Sequence, residues 1–200
     1  MQTLDPELDA MNYVYVILAA AAMLVAGPTW ATPDYGNGQP SASRAVDEKA
    51  VRFDRLTGYS GAQTAIANRI ATKFAAAGFG PVQQIAAVSV AIHESTLNPE
   101  AVNRGCNCYG LFQMNRSGGL GKGHAVSDLT NADYNIRLII KEAKRFPRFG
   151  SANSLDSAVD AFVRQVTRPA NKSKVVRATL RTARKLEKSA NIRRLASLSR

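Results

Sequence analysis

A chain of 200 residues that is 46% apolar and 20% charged can bury a core of its own, which excludes a disordered chain and removes any need for disulfide or metal support. The formal charge is +11, but residues 171–200 hold ten of the 26 Lys and Arg residues and, of the 15 acids, only Glu187. The body is therefore nearly neutral, and a polycationic surface all round is excluded too.

No charge falls between Asp9 and Asp34, and within that gap Tyr13–Ala26 is an unbroken apolar run closed by Gly27-Pro28. A spanning helix needs ~20 apolar residues, so the run is barely long enough, and its alanines add little to insertion. Three readings stand: a membrane-associated segment through residues 13–31, a signal peptide counted from Met11 and cut after Thr29-Trp30-Ala31, or a buried core helix. The acidic flank of Asp5, Glu7 and Asp9 is unlike the positive start of a signal peptide and favours the membrane-associated reading. Residues 32–44, rich in Pro, Gly, Asn and Ser, read as a linker between the 1–31 segment and a body over 45–170.

From Ala45 onward the periodicity is helical. Ala62–Ala77 repeats apolar residues at Ile66, Ile70 and Phe74, and Gly78-Phe79-Gly80-Pro81 breaks it. Val82–Ser95 follows, with Ile85, Val88 and Ile92 as its core stripe. Thr130-Asn131-Ala132-Asp133 resembles a capping box and opens a helix that runs to Pro147. Ser154 starts another, ending near Arg168-Pro169, and the tail over 171–200 contains a basic helix. No run of residues alternates as a strand would. The fold class is all-α.

Glu94 stands in the last turn of the second helix, where the dipole disfavours a carboxylate. One turn back lie Ala87, Val90 and Ala91, so the acid is partly desolvated as well. Both effects raise its pKa toward neutrality, the condition for a general acid at physiological pH. Asn98-Pro99 then turns the chain back, and Gly110 admits a close backbone approach. Leu111 and Phe112 can form a wall, while Gln113 and Asn115 offer amides. Amides and aromatics around one acid suit a polar, uncharged ligand such as an N-acetylated sugar.

Other chemistries fit less well, and neither a metal nor a cofactor is expected. His93-Glu94 lacks the second histidine of HExxH, because position 97 is Leu. Cys106 and Cys108 are two loop thiols or one local bridge; a zinc site would need a second ligand pair, and the histidines are only His93 and His124. A Cys/His nucleophile using His124 has no supporting motif. Gly118, Gly119, Gly121 and Gly123 form a flexible loop, since Gly123 stands where a P-loop needs Ser or Thr after Lys122.

The segments ES-x-LNP-x-AV and Tyr109-Gly110-Leu111-Phe112-Gln113 resemble the lysozyme-like lytic transglycosylases, with their ES…GLMQ pattern. The longer match, GLFQMNRSGGLGKGH…LTNADYNIRLIIKEAKRF…AFVRQVTRP, is closest to versions carried by bacteriophages and spans about residues 63–170. The resemblance implies a lysozyme-like helical domain that cuts peptidoglycan glycan strands between N-acetylmuramic acid and N-acetylglucosamine. Glu94 would be the only catalytic carboxylate, with the substrate's acetamido group replacing the second acid of ordinary glycosidases. Ser95 would bond near that group, and Gln113 would hold the sugar together with Tyr109 and Asn115. Asn135, in a segment similar to the family's later Asn motif, would brace the cleft among the substrate-binding set.

Two features depart from the pattern. The loop from Glu94 to Gly110 is one residue longer and contains both cysteines, and Ala161-Phe162-Val163 stands where a late Tyr-Asn motif would be. A second acid near Glu94 would turn the reading toward a muramidase; a murein endopeptidase and a non-catalytic virion or membrane protein of the same fold also compete. The resemblance places the protein in a phage virion or at a membrane facing the cell wall. The basic tail suits an anionic surface, and its lack of Phe, Tyr and Trp argues against nucleic acid.

Overall fold

A computed structural model describes residues 49–190; the apolar run Tyr13–Ala26, the linker and residues 191–200 lie outside the described residues. Helix α1 (Gly61–Ala76) starts on a reciprocal cap, in which Ser60 Oγ accepts from Gln63 N at 3.2 Å and Gln63 Oε1 accepts from Ser60 N at 2.8 Å. It ends at Gly78, whose φ of +92° only glycine adopts cheaply. Helix α2 (Pro81–Ser95) begins on Pro81, where no intrahelical partner for its nitrogen is needed.

Every residue of α2 from Gln83 to Ile92 is buried. Its surface alternates Ala86, Ala87, Ser89 and Ala91 with Ile85, Val88 and Val90, so neighbouring helices approach closely on several sides. The two buried amides on it both bond to backbone groups of other segments. Gln83 Nε2 donates to the carbonyls of Phe149, Gly150 and Ala152, at 3.1, 3.1 and 2.8 Å. Gln84 Oε1 accepts from Val51 N at 2.7 Å, and its Nε2 donates to Lys49 O and Phe79 O. The central helix thus pins the incoming chain at one face and a later turn at another.

A small antiparallel sheet follows, with strands β1 (Val102–Asn103), β2 (Cys108–Tyr109) and β3 (Met114–Asn115) in that order. Val102 pairs with Tyr109, and Cys108 with Asn115. Two-residue strands carry no alternation to read, which is why the sequence does not announce them. The domain is otherwise helical, as expected.

Beyond a 3₁₀ turn at Gly119–Gly121 come α3 (Val126–Leu129), α4 (Ala132–Ala143), α5 (Pro147–Gly150), α6 (Leu155–Ala161), a π-helical stretch at Phe162–Thr167, and α7 (Lys172–Ser189). The expected capping box at Thr130 is not the cap of α4. Asn131 is: its Oδ1 accepts from Tyr134 N at 3.0 Å, while Thr130 closes α3 by donating its hydroxyl to Val126 O. Helix α4 also stops short of Pro147. The proline forces Phe146 out of the helical region, to φ −115°, ψ 95°, so α5 starts as a separate turn.

Helix α7 buries Val176, Thr179, Ala183 and Leu186 at spacings of three and four, and packs against α2 and α6. A domain boundary at 170 would cut through this core. Phe74, Phe79, Phe149 and Phe162 form one aromatic cluster, with ring centroids 4.8–6.4 Å apart. Ala161, Phe162 and Val163 are wholly buried, so they line the core and no cleft wall. Buried Glu142 ties the end of α4 to the end of the π-helical stretch, accepting from Arg145 and Arg168 guanidinium nitrogens, each at 2.9 Å.

Candidate active site

The C-terminal turn of α2 brings Glu94 to the surface beside the sheet. Thr96 and Leu97 both take left-handed backbone, with φ of 55° and 62°. For a β-branched residue such as Thr96 this is strained, and strain of this kind collects at functional sites. It turns the chain so that Thr96 N donates to Ile92 O and Leu97 N to Ala91 O. Two carbonyls of the last turn are thereby occupied, which reduces the negative dipole end that Glu94 faces.

Glu94 is half-buried, and burial pushes its carboxyl up from 4.5 to about 7. It opens onto a cleft of about 450 Å³ lined by Ser95, Thr96, Ala101–Arg104 and Gln113. Glu94 is the one carboxylate among those lining residues.

Ser95 is buried, and its Oγ donates to Ala91 O and Leu111 O, each at 3.0 Å. It stitches the end of α2 to the Gly110–Gln113 turn, leaving only oxygen lone pairs for a ligand. That turn is held from the other side by Asn135 on α4. Asn135 is wholly buried; its Nδ2 donates to Leu129 O at 2.7 Å and Tyr109 O at 3.4 Å, and its Oδ1 accepts from Phe112 N at 3.1 Å. Its amide braces the turn and does not reach a ligand. Asn135→Ala should lower the unfolding free energy by about 2–4 kcal/mol in a denaturant titration, because it strands Phe112 N–H and Leu129 C=O in the core.

Gln113, at φ +44°, donates both amide hydrogens to backbone, to Ala101 O at 3.2 Å and Gly110 O at 3.1 Å. Its carbonyl oxygen is what remains for a substrate hydroxyl or amide. Leu111 and Phe112 are core residues rather than a wall. Tyr109 is half-buried, with the Arg116 guanidinium 5.8 Å from its ring centroid, and Asn115 Oδ1 accepts from Gly118 N at 2.8 Å. Neither lines the Glu94 cleft. The structure thus brings Glu94, Ser95 and Gln113 together, and sets Tyr109, Asn115 and Asn135 behind them.

The cleft wall that sequence reasoning missed is the Ala101–Arg104 stretch. Its only sequence signal is Asn103-Arg104-Gly105, a turn-forming run just ahead of the cysteines. Cys106 and Cys108 are bridged to each other, which leaves no thiol for a Cys/His nucleophile. His124 Nδ1 lies 2.7 Å from the Tyr134 hydroxyl instead. Among the described residues no cluster of three His, Cys, Asp or Glu side chains is placed to hold a metal.

A helical domain built round one buried helix, with a lone raised-pKa acid where that helix meets a small sheet, is the lysozyme-like class of protein. Residues 65–192 match the phage tail lysozyme family, and the chain belongs to it: a peptidoglycan-acting phage protein of the glycosidase type. Comparison with curated proteins and with solved structures gave no match. The matched span includes α7, consistent with that helix sharing the common core. No helix among the described residues is long and apolar enough to cross a membrane.

Proposed function

We propose that this protein is a lytic transglycosylase of the phage tail, cutting peptidoglycan between N-acetylmuramic acid and N-acetylglucosamine without consuming water. The observation that carries the reading is the solitary acid: Glu94 shares its cleft with amide, hydroxyl and apolar groups and the Arg104 guanidinium, and with no second carboxylate. Hydrolases with a pair of acids hold them about 5–10 Å apart across the bond. Here the partner's work falls to the substrate.

Glu94, still protonated in a large share of molecules near pH 7, donates its proton to the bridging oxygen, and the leaving sugar departs. The substrate's own acetamido oxygen supports the anomeric carbon as positive charge develops. The Glu94 carboxylate then takes the proton of the same sugar's 6-hydroxyl, whose oxygen closes on the anomeric carbon. The product ends in a 1,6-anhydro ring, and Glu94 is protonated again. The Gln113 carbonyl and the cleft backbone hold the sugar while this occurs.

Digestion of purified peptidoglycan, followed by weighing the soluble fragments, tests the assignment. Anhydro ends support it. Reducing ends, heavier by one water, indicate a muramidase, and freed peptides an endopeptidase.

The outer face of α7 carries exposed Lys174, Arg177, Arg181, Lys185 and Lys188 over about four turns. That stripe is suited to holding the enzyme on an anionic cell-wall or lipid surface. It gives adhesion, not specificity.

A further inference from the structure

Arg104 is the only cation lining the Glu94 cleft, and no ion pair among the described residues engages it. An unpaired cation in a glycan-binding cleft has no obvious use on a neutral sugar. Val102, two residues earlier in strand β1, is 50% exposed and lines the same cleft. Arg104 opens the turn that follows the strand and is exposed as well, so the wall presents an apolar contact followed by a positive charge.

The backbone under this pair is fixed. Asn103 Oδ1 accepts from Gly105 N at 3.0 Å, Arg104 O accepts from Asn107 N at 3.4 Å, and the Cys106–Cys108 bridge closes the tip. Gly110 N donates to Ala101 O at 2.9 Å and Gln113 Nε2 to the same carbonyl, which ties the base of the wall to the turn beside Glu94. These ties fix the backbone that carries Arg104 in the same cleft as the acid.

We infer that Val102 and Arg104 form a subsite for the acidic stem of a peptide-substituted muramyl residue, with Arg104 pairing a stem carboxylate and Val102 packing against its methyl groups. The inference rests on the glycan-cleaving reading of the cleft. It adds that the enzyme prefers glycan bearing free carboxylates over glycan stripped of them or neutralised. A guanidinium suits this task because it can hold a carboxylate through two parallel hydrogen bonds.

The test uses the full chain carrying Glu94→Gln, so that strands bind and are not cut. Soluble glycan strands with intact stems, and the same strands with their carboxyls converted to methyl esters, are titrated against it. Adding Arg104→Ala should weaken binding of native strands about five- to twentyfold and leave binding of esterified strands within about twofold; Arg104→Lys should recover part of the loss. An equal loss on both strands, or no loss on native strands, overturns the subsite. Thermal melts of each variant check that Arg104→Ala, at an exposed and unpaired position, stays folded. Fragment release by the wild-type chain is the separate arm: its absence removes the glycosidase reading and the subsite with it, whereas cutting without an Arg104 effect removes the subsite alone.

Discussion

Glu94→Gln reduces release of soluble peptidoglycan fragments by about 10²–10⁴-fold, the range set by removing a general acid, and leaves the fold intact. The amide keeps the size of the side chain but can neither give nor take a proton. A second effect has the opposite sign and identifies the same group. Burial raises the Glu94 carboxyl from 4.5 to about 7. The protonated acid therefore stabilises the fold fully below about pH 4.5, and that contribution is lost as pH rises from there through 7. The neutral glutamine does not lose it. At pH 8 the variant should be more stable than the wild type, by about 1–3 kcal/mol once partial contact with solvent is allowed for, and below about pH 4.5 the two should unfold alike. Activity of the wild type should fall above pH 7 as the acid loses its proton. A variant that is inactive yet no more stable at pH 8 would mean the carboxyl is solvated.

Gly110→Ala should cost at least about 4 kcal/mol, seen as a melting temperature lower by roughly 10–20 °C or as failure to fold. A Cβ at position 110 would sit 2.0 Å from Leu129 O and 2.3 Å from Asn135 Nδ2. Those two atoms are bonded to each other at 2.7 Å, so neither can withdraw without stranding its partner. The residue also holds φ +78°, which adds roughly 1–2 kcal/mol for any side chain. Gly118 supplies the contrast: its φ is −168° and a Cβ there meets nothing within 4 Å, so Gly118→Ala should melt close to the wild type. Equal tolerance at both positions would contradict the packing of the turn against α4.

The helices were legible because each carries its own signal: apolar spacing in α1 and α2, Ser154 opening α6, and the Gly78–Pro81 break between α1 and α2, although Pro81 belongs to α2 itself. The raised carboxyl of Glu94 was legible for a related reason, since buried Ala87, Val90 and Ala91 mark an apolar stretch just ahead of it on its own helix. What the sequence hides is contact between elements. Nothing local distinguishes Leu111 and Phe112 as core residues rather than cleft wall, because a buried pair and a wall share one composition. Asn135 reads as a cleft amide until its three bonds to the 109–112 turn and Leu129 are seen. The Ala101–Arg104 wall depends on two-residue strands whose pairing is set by the turn and the bridge. Likewise α7 reads as a basic tail by composition, although every third or fourth residue from Val176 to Leu186 enters the core.

The mechanism requires one carboxyl to be neutral at the pH where the enzyme works. Carbon-13 NMR of the glutamate carboxyl groups in the wild-type chain, with the Glu94 signal assigned by its loss in Glu94→Gln, measures that directly. A titration midpoint near 7 is the result expected. A midpoint near the ordinary 4.5 would contradict it, because the acid would already be ionised before any sugar arrived.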